Sequence, residues 1–331
     1  MQMHTTDAEK IGVVYKKNLG HYDVRHENTR TTCVPSARLW KTFTEAVQAE
    51  SGRVVTAIEE KHMDPIAVGD RVRFITTADE TGMILDVVPR RNYLARGSAK
   101  PMPGAHAFEQ VIAANLDQVV PVFAAAEPAP RWGMLDRILV TAESYELPAH
   151  IVITKADLVS GTRQEQALNE GINRYRDIGY PITVTSALTG AGLDALRQTL
   201  AGQRTVLVGK SGVGKTSLLN CLEPGLGLRV KAVNTVTGKG RHTTTYLEMF
   251  PLASGGEIID TPGMREFAIQ GLVPEDIPYF FPEIAPLIGR CRFGMSCQHD
   301  DEPGCAVKAA VMDGAVSPYR YKSLLAIQAD M

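Results

Sequence analysis

Residues Gly209-Lys210-Ser211-Gly212-Val213-Gly214-Lys215-Thr216 match Gly-x-x-x-x-Gly-Lys-Ser/Thr, the pattern of a loop that wraps phosphate in backbone N–H groups. An apolar run, Val206-Leu207-Val208, precedes it, and Ser217-Leu218-Leu219 opens what should be a helix. A strand before and a helix after is the context this chemistry needs, because the first helical turn adds its own N–H groups and positive end. In such a site Lys215 reaches the β- and γ-phosphates and the Thr216 hydroxyl binds Mg²⁺. Asp260 ends the strand-like run Glu257-Ile258-Ile259-Asp260, and Thr261-Pro262-Gly263 follows. A carboxylate there serves the Mg²⁺ shell and the Gly263 N–H serves a γ-phosphate, so the segment is expected to be a nucleotide switch.

The base is expected at Thr154-Lys155-Ala156-Asp157, directly after Ile151-Val152-Ile153. A carboxylate accepts from both the ring N–H and the amino group of guanine, a donor pair that adenine lacks. An adenine would leave buried groups unpaired at about 1–3 kcal/mol each. The Lys155 stem can lie along the base, and Thr185-Ser186-Ala187 can offer backbone N–H groups to the guanine oxygen. Thr154 stands where guanine-binding proteins usually carry Asn. The base-reading segment comes before the phosphate loop, the reverse of the ordinary order. The chain is therefore expected to be a circularly permuted GTPase that binds GTP and GDP with Mg²⁺.

Cys291, Cys297, His299 and Cys305 form a second constellation, spaced Cys-x₅-Cys-x-His-x₅-Cys. Three thiolates and an imidazole suit tetrahedral Zn²⁺, and a closed four-ligand site is structural. The alternative is buried free thiols beside a surface histidine. Cys221 is expected to be a small core residue; Cys33 has no assignment.

The elements that must carry these residues fall into three stretches. Residues 1–98 contain short β-branched runs at Ile11–Tyr15, Arg53–Ile58, Arg71–Ile75 and Gly82–Val88, separated by turn formers. They predict an OB-fold β-barrel. A linker rich in small residues and proline follows at 97–106. Residues 99–270 alternate buried strands with helical patterns, as in an α/β doubly wound sheet whose ligand sits at the strand ends. Residues 271–331 hold the Cys/His cluster and a helical tail.

Composition is that of a soluble globular protein of 331 residues, 44% hydrophobic and 22% charged. The formal net charge of −2 supplies no global field for nucleic acid. Local clusters, Lys16, Lys17, Arg25, Arg30 and Arg38 in the first strands and Arg90, Arg91 and Arg96 after the last, are the candidates for phosphate contact. With aromatic residues sparse there, folded RNA suits them better than a stacked single strand. No signal sequence or membrane-length apolar run is apparent, which predicts a cytoplasmic protein without a membrane partner.

The motif order, the segment Gly240-Arg241-His242-Thr243-Thr244-Thr245 and the cysteine cluster together resemble the ribosome small-subunit-dependent GTPases, the circularly permuted YjeQ/RsgA type. The resemblance implies a monomeric cytoplasmic GTPase acting late in 30S maturation, stimulated by the small subunit and touching 16S rRNA, with one structural zinc per chain. It implies that Thr243 or Thr244 lies in the first switch and helps hold Mg²⁺. Met264 occupies the place where many GTPases put a water-orienting Gln, so hydrolysis by the isolated chain is expected to be slow. His242 either positions the water or merely packs the loop or contacts RNA. Two other readings are an RNA-binding assembly factor with a scaffolding nucleotide fold, separated by measurable turnover, and a GTPase with a non-ribosomal RNA client.

Overall fold

The computed structural model describes residues 8–18, 20–51, 65–77, 81–97, 109–226, 247–260 and 272–331. In chain order the elements are β1 (Lys10–Asn18), β2 (His21–His26), β3 (Thr29–Pro35), α1 (Ala37–Ser51), β4 (Arg71–Thr76), β5 (Gly82–Val87), β6 (Tyr93–Gly97) and β7 (Glu109–Ala114). Next come β8 (Gln118–Ala124), α2 (Trp132–Ser144), β9 (Ile151–Thr154), α3 (Arg163–Asp177), β10 (Ile182–Val184), α4 (Leu193–Leu200) and β11 (Arg204–Val208). The chain continues with α5 (Lys215–Leu222), β12 (Glu248–Pro251), β13 (Glu257–Asp260), α6 (Ala306–Met312) and α7 (Pro318–Ala329). Two compact units result: residues 1–117, 200–207 and 236–263, and residues 118–199, 208–235 and 264–331.

In the first unit β1 to β5 close a barrel. β1 pairs with β2 and β4, β2 with β3, and β4 with β5, all antiparallel, while β3 and β5 run parallel and complete the ring. This is the expected OB-like five-stranded barrel, with α1 between β3 and β4. Strand alternation sends Val14, Tyr22, Val24, Cys33, Val72, Phe74 and Ile84 inward. Cys33 is thus a core residue: burial and the Asp23 charge push its thiol up to about 12, and a side chain at Gly82 would meet its sulfur at 2.3 Å. The expected strand Arg53–Ile58 lies outside the described residues. β2 and β3 escaped the sequence pattern because each buries few apolar side chains among polar ones.

The barrel's cations are mostly committed internally. Asp70, fully buried, accepts two bonds of 2.7 Å from Arg90 and one of 2.7 Å from the Ala67 N–H. Arg91 reaches Asp117 at 2.6 Å and Arg30 reaches Asp23 at 2.5 Å. Lys16 pairs with Glu248 at 2.8 Å, and Lys17 donates to the Ile66 carbonyl. Lys16, Lys17, Arg30, Arg90 and Arg91 of the basic clusters thus each have a partner within the unit. β12 and β13 form an antiparallel hairpin in the same unit; β12 pairs with β1, and β13 runs parallel to β11.

In the second unit β8, β9 and β10 form parallel neighbours, β8 buried along its whole length and β9 likewise. Such strands are covered on both faces, which is why they read as unbroken apolar runs. The residues after 271 have little regular structure beyond α6 and α7. Their core is Ile277, Phe281, Ile284, Val307, Leu324 and Ile327, closed by the three thiols and by Val140 of α2. Arg320 of α7, 1% exposed, donates to Glu283 at 2.7 and 3.2 Å and to Asp136 of α2 at 2.6 Å. The Tyr175 hydroxyl adds a bond of 2.7 Å to the same Asp136 oxygen. Among the described residues no helix is long and apolar enough to cross a membrane.

Candidate nucleotide site and metal centre

β11 delivers the chain into the phosphate loop and α5 begins at Lys215. The loop's glycines are required by the space they occupy. A Cβ on Gly209 would lie 2.3 Å from the Val122 carbonyl oxygen, and Gly212 and Gly214 hold φ of +85° and +94°. Gly214 is the N-cap of α5 and offers no capping side chain, so the first-turn N–H groups have no side-chain partner from the cap residue. Lys215 is buried and folds back, donating to the Gly209 carbonyl at 2.5 Å and the Lys210 carbonyl at 3.2 Å. Thr216 follows it in the first turn, with Lys210, Ser211, Val213 and Ser217 completing the expected segment.

β9 ends at Thr154, 4% exposed, whose hydroxyl donates to the Val213 carbonyl of the phosphate loop and lies 3.3 Å from the Phe123 carbonyl. A threonine thus ties the expected base-reading segment to the expected phosphate loop across 59 residues of sequence. Lys155 sits in the left-handed region at φ 56°, with its ammonium on the Glu127 carbonyl. Asp157 accepts a bond of 2.5 Å from the Ser186 hydroxyl, which itself accepts the Leu188 and Thr189 N–H groups at 3.2 Å. Ser186 was expected to act through its backbone N–H. That group is committed to the Ala191 carbonyl at 3.0 Å, and the side chain orients Asp157 instead. Gly192 makes the tight 186–192 turn possible, since a Cβ there would lie 2.1 Å from the Val184 oxygen. Cys221 points its thiol at the Ala187 carbonyl, 3.6 Å away, and so packs α5 against this turn.

Asp260 is the last residue of β13, in register with Leu207 of β11, two residues before Gly209. His242, Thr243, Thr244 and Gly263 lie outside the described residues, as does Met264.

The metal centre assembles from the loops before α6. The ligand atoms of Cys291, Cys297, His299 and Cys305 all lie within 4.8 Å of one another, and all four residues are buried. Zn–S and Zn–N bonds of ~2.3 and ~2.05 Å at tetrahedral angles give edges of ~3.8 Å between sulfurs and ~3.6 Å between sulfur and nitrogen. The Cys291–Cys305 sulfur separation is 3.9 Å, and His299 Nδ1 lies 3.5 Å from both sulfurs. The residues fit zinc. Burial and the neighbouring thiols push the Cys297 thiol up to about 12, a penalty that a bound dication reverses. The Ala306 and Lys308 N–H groups, 3.3 and 3.5 Å from the sulfurs of Cys291 and Cys305, suit thiolates. Burial lowers the His299 pKa and favours the neutral ring that ligation needs. Tyr321 donates to the His299 carbonyl at 2.6 Å and holds the ligand loop from α7. Neither this contact nor the Arg320 network left a signal in the sequence.

Residues 87–270 match the RsgA GTPase family. The chain is 43% identical over 297 residues to the small ribosomal subunit biogenesis GTPase RsgA of Gemmatimonas aurantiaca, covering 88% of this chain and 94% of that protein. It is 40% identical over 267 residues to the protein of the same name in Bacteroides fragilis, covering 81% and 84%. Among solved structures it resembles YjeQ from Thermotoga maritima, with a TM-score of 0.72 at 29% identity and 98% of each chain covered. It also resembles YloQ, a circularly permuted GTPase, with a TM-score of 0.67 at 28% identity over 100% of this chain and 97% of that one.

Proposed function

The chain belongs to the RsgA GTPase family, and from that premise we propose that it hydrolyses GTP to GDP and phosphate in the biogenesis of the small ribosomal subunit, with 16S rRNA as its contact and the subunit as its stimulator. It works in the cytoplasm as a monomer. The chain divides into a barrel (1–98), a permuted GTPase domain (99–270) and a zinc-stapled domain (271–331).

The observation that carries the reading is the bond from the Thr154 hydroxyl to the Val213 carbonyl. It joins a guanine-reading strand end to a phosphate loop in the reversed order that permutation demands. Asp157, oriented by Ser186, accepts from guanine; Lys155 lines the base; the 209–217 backbone surrounds the phosphates. Lys215, whose ammonium already sits among the loop carbonyls of Gly209 and Lys210, exchanges those partners for phosphate oxygens. Thr216, Asp260 and a switch threonine, Thr243 or Thr244, would hold Mg²⁺, which would supply positive charge to offset the charge developing on the transferred phosphoryl group. Met264 offers the attacking water nothing, so His242 or a ribosomal group must position it. Induced ordering of a switch loop is a recognised gate for such chemistry.

The test is steady-state GTP hydrolysis with and without purified small subunits, beside co-sedimentation in GDP and in a non-hydrolysable GTP analogue. Stimulated turnover and tighter association with the GTP analogue are expected: if GTP and the subunit favour the same state, each by linkage tightens the other's binding. Equal affinity in both nucleotide states would remove the switch.

A further inference from the structure

The segment between the first two zinc ligands, Cys291-Arg292-Phe293-Gly294-Met295-Ser296-Cys297, carries large apolar side chains that the fold leaves in water. Phe293 is 47% exposed and Met295 68%, and Tyr279, 45% exposed, sets its hydroxyl 3.9 Å from the Met295 sulfur. The loop is pinned at both ends by buried cysteines. Inside it, the Gly294 N–H donates to the Cys291 carbonyl at 2.8 Å and the Ser296 hydroxyl to the Phe293 carbonyl at 2.8 Å. A loop so braced cannot fold its aromatic ring into the core.

Two cations precede the ring in the chain. Arg290 and Arg292 are exposed, and neither makes an ion pair or side-chain hydrogen bond among the described residues, in contrast to the committed arginines of the barrel. From 290 to 298 the segment contains no acid. In the adjoining acidic turn, Glu302 is folded onto the Gln298 and Asp300 N–H groups at 2.8 and 3.0 Å. Free arginines interleaved with an exposed aromatic ring and a polarisable thioether match the chemistry of an unstacked nucleobase and its phosphate. A protein partner would gain from the apolar patch but has no equal use for the two unpaired cations.

We propose that the 290–297 loop is a stacking platform for single-stranded RNA, with Phe293 and Met295 taking bases and Arg290 and Arg292 the adjoining phosphates. The choice of ribosomal RNA as the natural source rests on the function proposed above; the platform does not.

The test uses the full zinc-loaded chain and a short adenosine-rich single-stranded RNA carrying 4-thiouridine. Irradiation should mark the tryptic peptide 293–308, and F293A/M295A should lose that adduct and bind the strand on the order of tenfold more weakly. Phe293→Trp should keep both. Arg292→Gln should lower the slope of log affinity against log salt by about one. Zinc content and unstimulated GTP hydrolysis should stay at wild type in every variant. Adducts confined to other peptides, with F293A/M295A binding RNA as wild type does, would overturn the proposal. So would loss of subunit association in F293A/M295A with RNA binding intact, which would make the patch a protein-docking face. Intact strand binding without any stimulation by subunits would count against the ribosomal function alone.

Discussion

Replacing Thr154 with valine isolates one hydrogen bond that both halves of the nucleotide site share. The hydroxyl has a single proton, and the Val213 carbonyl is its nearer acceptor, with Phe123 at 3.3 Å. Valine keeps the branched shape in a position that is 4% exposed, so packing against β8 and the loop is conserved. What changes is that the Val213 carbonyl loses its donor. In the free protein the loop can relax and let water replace it. With phosphates wrapped, the loop cannot move, and the unpaired carbonyl costs about 1–3 kcal/mol. That penalty falls on the bound state and corresponds to about 5- to 150-fold weaker nucleotide binding. Titration with a fluorescent GDP analogue in Mg²⁺ measures it directly. Thr154→Ser, which restores the hydroxyl, should recover most of the affinity, and thermal unfolding should show the variant folded. Affinity of Thr154→Val within twofold of wild type would refute the idea that this contact couples base and phosphate recognition.

Asp157→Asn places a donor against the guanine amino group and should shift preference toward xanthine nucleotides; unchanged GTP affinity would remove Asp157 from the base site. Lys215→Ala should cut kcat by about 10²-fold or more, the scale of losing a principal electrostatic stabiliser, with the fold intact by circular dichroism. Metal analysis of protein purified without chelator should find about one zinc per chain, and chelation should disorder the residues after 271 before the nucleotide domain, because metal binding supplies local folding energy. Arg320→Ala leaves Asp136 and Glu283 buried without their cation, and should cost about 3–5 kcal/mol in chemical denaturation; a loss under about 1 kcal/mol would show that water reaches the pair.

The expected phosphate loop and the Cys/His cluster stand out in the sequence because local spacing alone defines them. A phosphate loop is eight consecutive residues between a strand and a helix, and the zinc ligands fall within one short segment, so neither needs distant partners to be recognised. β8 and β9 announced themselves because burial on both faces makes residues 119–123 and 151–153 unbroken apolar runs. β2 and β3 did not, since Tyr22 and Val24 are the fully buried residues amid Asp23, Arg25 and two histidines. A residue's type also says nothing about what is already bonded to it. Arg90 and Arg292 look alike in the chain, yet one is locked on buried Asp70 and the other stands free. The same holds for Ser186, whose hydroxyl aims Asp157, for Thr154, which reaches the loop 59 residues away, and for Arg320, which meets Asp136 across 184. Those pairings depend on the close approach of segments far apart in sequence. Chain closure and core packing bring such segments together, and no local pattern encodes the outcome.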